Sequence, residues 1–397
     1  MPVLATKETC TGCSACANIC PHDAICVSPD PSGFLMPEVN EKKCVECKLC
    51  EKACPIVNGV NLKHPEVTDV YAFWDNKTRT ESSSGGAFSA IAGWVLDRGG
   101  VVFGAVWRNG FKCAHISCES WDKLPALRGS KYLQSDIEQT FVEARQALRN
   151  GRYVLFTGTP CQIAGLRSFL IKPYEKLVTV DIVCHGVPSN ALFINYIDKL
   201  KSGYSKYASA TGFEFRNRRG WGIAPSATGE NCRLGTLVGV PNLYMSAFEK
   251  AAIFRESCYD CHFNGLARVG DITIADFWGI GASGKPFRHD VTKGVSLILI
   301  NSDSGKAIVE NLTDCFIEKR DLNEATKLNH NLVGSSKRPS YRNELIESFN
   351  NPELSLEKIN NQYSLVSTGL KNRLRDTLIK TGLFWPIKSA INKIRSL

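Results

Sequence analysis

From residue 68 onward, apolar residues fall in short runs separated by polar and glycine-rich stretches, and the period of each run assigns its structure. Residues 68–74 (TDVYAFW) read as a strand and 82–86 (SSSGG) as a turn. Residues 87–96 (AFSAIAGWVL) are apolar on nearly every side and read as a buried helix. A strand over 101–107 completes a βαβ arrangement. The alternation continues with a helix over 136–150, a strand over 153–156, a loop over 157–161 (TGTPC), a helix over 162–170 and a strand over 177–183. Strands that alternate with helices pair side by side in one direction, so an α/β domain with a mostly parallel sheet is expected. Over 211–240 the runs shorten and fill with glycine and polar residues, the mark of a small β-rich portion. Residues 56–66, with Asn, Gly, His and Pro and little periodicity, read as a linker. From Leu322 the chain is polar and helical in character.

Ahead of the linker, cysteine replaces hydrophobic patterning. Cys10, Cys13, Cys16 and Cys20 precede Pro21, and Cys44, Cys47, Cys50 and Cys54 precede Pro55, each set spaced C-x2-C-x2-C-x3-C-P. This spacing lets three thiolates converge on one iron–sulfur cubane while the fourth reaches the other cluster. The expected sets are therefore Cys10, Cys13, Cys16 and Cys54 for one [4Fe-4S] cluster, and Cys44, Cys47, Cys50 and Cys20 for the second. Ala15, Ala17 and Ala53 let the backbone wrap closely, and Ile25 and Ile56 can shield iron from water. The competing readings are zinc knuckles, which commonly use two C-x2-C pairs, and a disulfide framework, which accompanies a secretory signal.

Residues 1–11 hold no apolar run, and no stretch of about 18 apolar residues follows, so a cytoplasmic chain is expected. There, 17 cysteines point to metal ligation and redox chemistry rather than disulfides. A length of 397 residues suggests roughly two or three domains. They are an α+β ferredoxin-like domain over 1–60, the α/β domain over 67–320 and a helical extension over 321–397. The net charge of +9 is concentrated: from 371 to 397 there are seven basic residues against one acid, 7 − 1 = +6. Nucleic acid is thus a poor partner for the molecule as a whole. In this tail Leu383, Phe384, Trp385, Ile387, Ile391 and Ile394 interleave with the basic residues. Two readings stand: a basic amphipathic helix lying on the inner face of a membrane, or a terminal helix docked on protein.

Three further cysteine segments fall where an α/β sheet places ligands, just past strand ends. They are Cys161 after 153–156, Cys184 with His185 after 177–183, and Cys258-x2-Cys261 in a polar loop before 271–279 (DITIADFWG). A C-x2-C pair needs two more ligands, which Cys161 and Cys184 are best placed to supply, giving a third [4Fe-4S] cluster. A zinc knuckle completed by His262 or His185 is the alternative. Cys26, Cys113, Cys118, Cys232 and Cys315 stand in no ligand spacing and read as small buried hydrophobes, with surface thiols the alternative for Cys113 and Cys118, which lie near an edge. Residues 82–86 form a candidate phosphate cradle at a helix N-terminus, or simply a tight cap. Residues 128–135 (RGSKYLQS) combine a cation, an aromatic ring and hydrogen-bonding side chains, suited to a dinucleotide or to a solvated loop.

Five ordered motifs, Ser83–Gly86, Gly129–Ser135, Gly158–Gln162, Cys184–Gly186 and Cys258–Cys261 before 271–279, resemble the coenzyme F-420 hydrogenase/dehydrogenase beta-subunit family from about residue 67 to about 300. The resemblance implies an iron–sulfur flavoprotein oxidoreductase. Ser84, Gly85, Gly86, Lys131, Tyr132, Gln134 and Thr159 would contact FAD, and Cys161, Cys184, Cys258 and Cys261 would hold the inner cluster. Family members differ in substrate, so the deazaflavin coenzyme need not be used, and some are associated with polysaccharide biosynthesis. The expected function is passage of electrons from a low-potential donor, a ferredoxin or a partner dehydrogenase, through the clusters to FAD and a second acceptor. His185 is the proton-donor candidate, or else a hydrogen-bonding group behind the reacting atoms. The rivals are an electron-transfer adaptor without a substrate of its own and a flavin-free scaffold. Self-association into a homo-oligomer stays open.

Overall fold

The computed structural model describes residues 1–397 except 109, 217–219, 283–284, 367–368, 385, 388–389 and 391–397. The N-terminal head consists of two near-repeats, each a cysteine loop leading into a short helix, α1 (Ala15–Ile19) and α2 (Leu49–Ala53). Each helix follows a left-handed residue, Ser14 (φ 59°) or Lys48 (φ 58°), and ends in an extended cysteine, Cys20 or Cys54. The same turn chemistry thus places the fourth cysteine of both runs. Between them β1 (Ile25–Pro29) and β2 (Leu35–Val39) pair antiparallel.

The body is built on β3 (Asp69–Asp75), β4 (Val101–Arg108), β5 (Lys112–Cys118), β6 (Val154–Gly158) and β7 (Leu177–Ile182). A small antiparallel sheet follows, β8 (Gly212–Glu214), β9 (Ser226–Thr228) and β10 (Arg233–Thr236), within the expected β-rich portion. The chain then adds β11 (Ile272–Asp276), β12 (Ser296–Ile300) and β13 (Cys315–Lys319). The large sheet has the order β13-β3-β12-β11-β7-β6-β4-β5. Its centre, β11-β7-β6-β4, is parallel, and five of the eight strands (β3, β4, β6, β7, β11) run the same way. The flanks are antiparallel: β4 and β5 form a hairpin on one side, while β12 and β13 lie against β3 on the other. Helices α3 (Ala87–Leu96), α4 (Thr140–Arg149) and α5 (Pro160–Leu170) connect the central strands. Helix α4 starts four residues later than the expected 136, because Asp136 instead bridges β5 as a short parallel contact with Ala114.

Then come α6 (Asn190–Gly203), α7 (Leu243–Glu249), α8 (Asp303–Glu310), α9 (Leu322–Lys327), α10 (Arg342–Asn350), α11 (Leu356–Tyr363) and α12 (Leu370–Lys380). Hydrophobic packing crosses the boundaries read from sequence. Cys13, Ala15, Ile19 and Ala53 of the head share one core with Phe103, Phe141, Phe156, Ile163 and Phe169 of the body. Leu345, Ile346, Phe349 and Ile359 of α10 and α11 share another with Leu192, Phe193 and Ile197 of α6, and with Phe34 of the head. In α12, Leu370 and Leu374 are 85% and 61% exposed. Trp385, Lys388, Ile391, Lys393, Ile394 and Arg395 of the expected amphipathic tail lie outside the described residues. Among the described residues no helix is long and apolar enough to cross a membrane.

Candidate cysteine cavity and cofactor crevice

The carboxyl ends of β6 and β7 open onto one cavity. Cys161 enters from the first turn of α5, Cys184 and His185 from the segment after β7, and Cys258 and Cys261 from the loop before β11. The four cysteines singled out from three separate segments line this cavity together, with Thr159, His185 and Thr11 of the head. Cys161 is placed by a capping box, in which Thr159 N donates to Gln162 Oε1 at 3.0 Å while the Thr159 side chain caps the helix. Thr159 Oγ1 lies 3.1 Å from Cys161 Sγ. Burial pushes the Cys161 thiol up to about 12 and the Cys258 thiol to about 11, and raises Cys184 and Cys261 as well. Cys161, Cys184 and Cys258 also feel other cysteines of the set, so as bare thiols they would stay protonated at neutral pH. A metal removes that penalty by displacing the protons.

The head presses its first cysteine loop against this cavity. Cys13 packs on Gly165 of α5, where a Cβ would stand 2.8 Å from Cys13 Cβ and 2.9 Å from its sulfur. Burial raises the Cys13 and Cys16 thiols, and both feel Cys10 and Cys54, the fourth member that the spacing assigns to them. Cys161 also acts on Cys13. The other set faces outward: Cys47 is exposed, Cys44 and Cys20 are half-buried and only Cys50 is buried.

The remaining expected cofactor residues divide. Gly86 (φ 93°) caps α3 without a side-chain cap, and Ser84 Oγ donates to Val295 O at 2.9 Å. Gly85 is fixed by packing: a Cβ would meet Phe73 O at 2.1 Å and Ser296 N at 2.6 Å. Lys131 Nζ donates to the carbonyls of Leu127 and Arg128 at 3.3 and 2.9 Å. Tyr132 packs edge-on against Phe215 and Phe248, and its hydroxyl accepts from Arg216 at 3.3 Å. Arg216 in turn grips Asp276 with both terminal nitrogens (2.8 and 3.0 Å) and donates to Ser83 O at 2.7 Å. Its Nε is buried with no hydrogen-bond partner among the described residues. Gln134 lies elsewhere: it is buried, its Nε2 donates to Thr11 O and Gly12 O (2.9 and 3.2 Å) and its Oε1 accepts from Arg255. Its amide is engaged in fastening the head to the body. His185 reaches solvent at the cavity mouth, yet the packing around its ring lowers its pKa, with the Asp276 carboxylate opposing.

Sequence reasoning missed Arg216, Asp276 and Arg255. Asp276 stands inside the motif 271–279, at the end of β11, where strand-end logic could have found it. The two arginines carried no spacing signal. Among the other cysteines, Cys26 and Cys232 are exposed and Cys315 half-buried rather than buried, whereas Cys113 and Cys118 are buried although β5 is an edge strand, Cys113 in the core that includes Leu192 and Phe193 of α6 and Cys118 in the core that includes Ile91 and Val95 of α3.

Residues 151–325 match the family model for the carboxyl-terminal part of the coenzyme F420 hydrogenase/dehydrogenase beta subunit. Residues 9–57 match a 4Fe-4S dicluster domain. The coenzyme F420-dependent sulfite reductase of Methanocaldococcus jannaschii is 22% identical over 324 residues, 77% of this chain and 46% of that protein, so the chain spans about half the length of this relative. Ferredoxin YfhL of Escherichia coli is 33% identical over 81 residues, 19% of this chain and 87% of the ferredoxin. Among solved structures, a chain of the F420-reducing [NiFe] hydrogenase complex from Methanosarcina barkeri aligns with a TM-score of 0.46 at 16% identity, covering 77% of this chain and 95% of that one. Among the described residues no group of three or more His, Cys, Asp or Glu side chains is placed to hold a metal ion. That holds equally for the eight cysteines of the dicluster match, because a cubane spreads its thiolates over four iron corners.

Proposed function

Because residues 151–325 match the coenzyme F420 hydrogenase/dehydrogenase beta-subunit model and residues 9–57 a 4Fe-4S dicluster domain, we propose that the chain is an iron–sulfur flavoprotein oxidoreductase relaying electrons from an external low-potential donor to a second acceptor. The observation that carries this reading is the convergence of Cys161, Cys184, Cys258 and Cys261 on one cavity, directly behind Cys13 of the head. With the two head sets, these cysteines form a series from the exposed Cys47 to the buried body. The donor set fits iron–sulfur ligation: four cysteines line the cavity with His185 and Arg268, and among the described residues no lysine or carboxylate does.

Three [4Fe-4S] clusters with one FAD would supply single-electron transfer along the series and its pairing into two-electron chemistry at the end. This chain's residues set the conditions for it. Half-buried Ser83 and Ser84 ahead of the buried Gly85 and Gly86, the uncapped start of α3 and the unpartnered Arg216 Nε are suited to an anionic dinucleotide and mark a candidate site for it. Arg216 and Asp276, locked to each other, hold Ser83 and Tyr132 at its edge. His185 lines the cavity, and its ring, whose pKa burial lowers, is the group there that can take up a proton and pass it on. The donor in this reading is a ferredoxin or a partner dehydrogenase, and polysaccharide biosynthesis is one setting for the second acceptor.

Iron, acid-labile sulfide, zinc and flavin are to be counted in one anaerobic preparation. About twelve irons and one FAD per chain are expected. About eight irons with zinc would remove the inner cluster. Absence of flavin would remove the flavoenzyme and leave an electron-transfer adaptor.

A further inference from the structure

Arg255 is 2% exposed and lies between the head's first cysteine loop and the loop carrying Cys258 and Cys261. Its guanidinium donates to Cys10 O at 3.1 Å, to Gln134 Oε1 at 3.1 Å, to Leu35 O and to Met36 Sδ at 3.3 Å. Ser257 Oγ joins the same Cys10 carbonyl at 3.0 Å. The seat is tight, since a Cβ on Gly12 would stand 2.4 Å from Arg255 Nη2. Every one of these partners is neutral. Of the other buried arginines, Arg216, Arg268, Arg320 and Arg342 each pair with a carboxylate, and Arg79 donates to the Gly294 and Asp290 carbonyls within the field of the Asp290 charge. The neighbouring Glu256 turns to Arg338 and Arg342 instead. Among the described residues, Arg255 has no carboxylate within ion-pair distance.

A buried cation without a counter-charge is among the most costly groups a protein can hold, and such charges are retained when paired. The groups left to pair with Arg255 are cysteines. It leans on the backbone of Cys10, and its charge draws down the thiols of Cys161 and Cys258. We propose that Arg255 is the shared counter-charge of two thiolate sets, Cys10 with Cys13, Cys16 and Cys54, and Cys161 with Cys184, Cys258 and Cys261, and raises the reduction potential of both. The proposal rests on the functional reading above, in that the second set holds a cluster. Each electron accepted beside Arg255 adds one negative charge there, so a fixed neighbouring cation favours the reduced state.

The test is a redox titration, followed by electron paramagnetic resonance, of the cluster-loaded full chain and of its Arg255→Met and Arg255→Lys variants, after an iron count on each. Arg255→Met is expected to move both signals at least tenfold toward the oxidised form at fixed potential, about 59 mV for a one-electron couple. Arg255→Lys keeps the charge while losing the fork of hydrogen bonds, and is expected to hold the native midpoints. Native midpoints in Arg255→Met with full iron would overturn the proposal. So would an equal shift in Arg255→Lys, which would make the role one of geometry. Met36→Glu is a second route if the Met variant loads poorly: it sets a carboxylate beside Arg255 Nη1 and is expected to shift the midpoints the same way, and unchanged midpoints count against the proposal. Eight irons in the native protein would sink the inner cluster and the functional reading with it. Arg255 is then judged on the head's signal alone, by the same tenfold criterion.

Discussion

At single residues, opposing effects of known size decide the outcome. Gly165 lies inside α5, where alanine is favoured by about 1 kcal/mol over glycine. Its missing Cβ is also what lets Cys13 approach, and a methyl 2.8 Å from Cys13 Cβ cannot be absorbed by a cysteine held in a cluster loop. Gly165→Ala is expected to lose about four irons per chain despite the better helix former. Gly203→Ala, with nothing within 4 Å, should leave the iron count alone. His115 offers a pH prediction. It is buried, its Nε2 bonds Thr157 O at 2.8 Å and its Nδ1 has no partner among the described residues. Burial lowers its pKa to about 4, below an unfolded value of about 6.5. Its stabilisation is therefore complete above pH 6.5 and is lost as pH falls toward 4, because the unfolded chain takes up the proton first. Between pH 7 and pH 5 this amounts to about 2 kcal/mol. Urea unfolding at both pH values should show the fall diminished by that amount in His115→Gln.

Elements are legible in the sequence wherever local pattern and local turn agree. Residues 87–96 read as a helix and form α3 with those bounds, because an apolar run after Ser-Ser-Gly-Gly has no other way to satisfy its backbone. The turn before α5 is legible only in place: residues 157–161 read as a loop, whereas Thr157 and Gly158 end β6 and Pro160 and Cys161 open α5, with Thr159 as cap and proline at the first helical position. Here Thr159→Ala is expected to cost about 1 kcal/mol of stability by thermal unfolding, whereas Thr159→Ser keeps the cap. The antiparallel flanks are not legible. β12 is buried at all five positions, and a fully buried strand shows no alternation from which its direction could be told. Nor can the sequence show that Gln134 fastens the head, because its partners Thr11 and Arg255 lie 123 and 121 positions away.

Across the whole molecule, the two cysteine runs, identical in spacing, meet unequal surroundings. The repeat is plain in the sequence, but which copy faces water is not, since that depends on α1 and α2 packing onto α5 and on the shared core around Phe156 and Phe169. Cys13 and Cys16 are buried against the body, whereas Cys47 and its neighbour Val45 are exposed. Electron transfer weakens steeply with separation, so a protein donor too large to reach the buried set must deliver at the exposed one. A small reductant that diffuses into the cavity mouth at His185 has no such limit. Cys47→Ser, with iron counted, is therefore expected to slow reduction by a ferredoxin at least tenfold while leaving reduction of the inner signal by dithionite within about twofold of native. Stopped-flow absorbance with each reductant reads both. Equal losses with the two reductants would mean that the exposed set supports the fold of the buried one rather than feeding it, and would place the entry point for electrons elsewhere on the body.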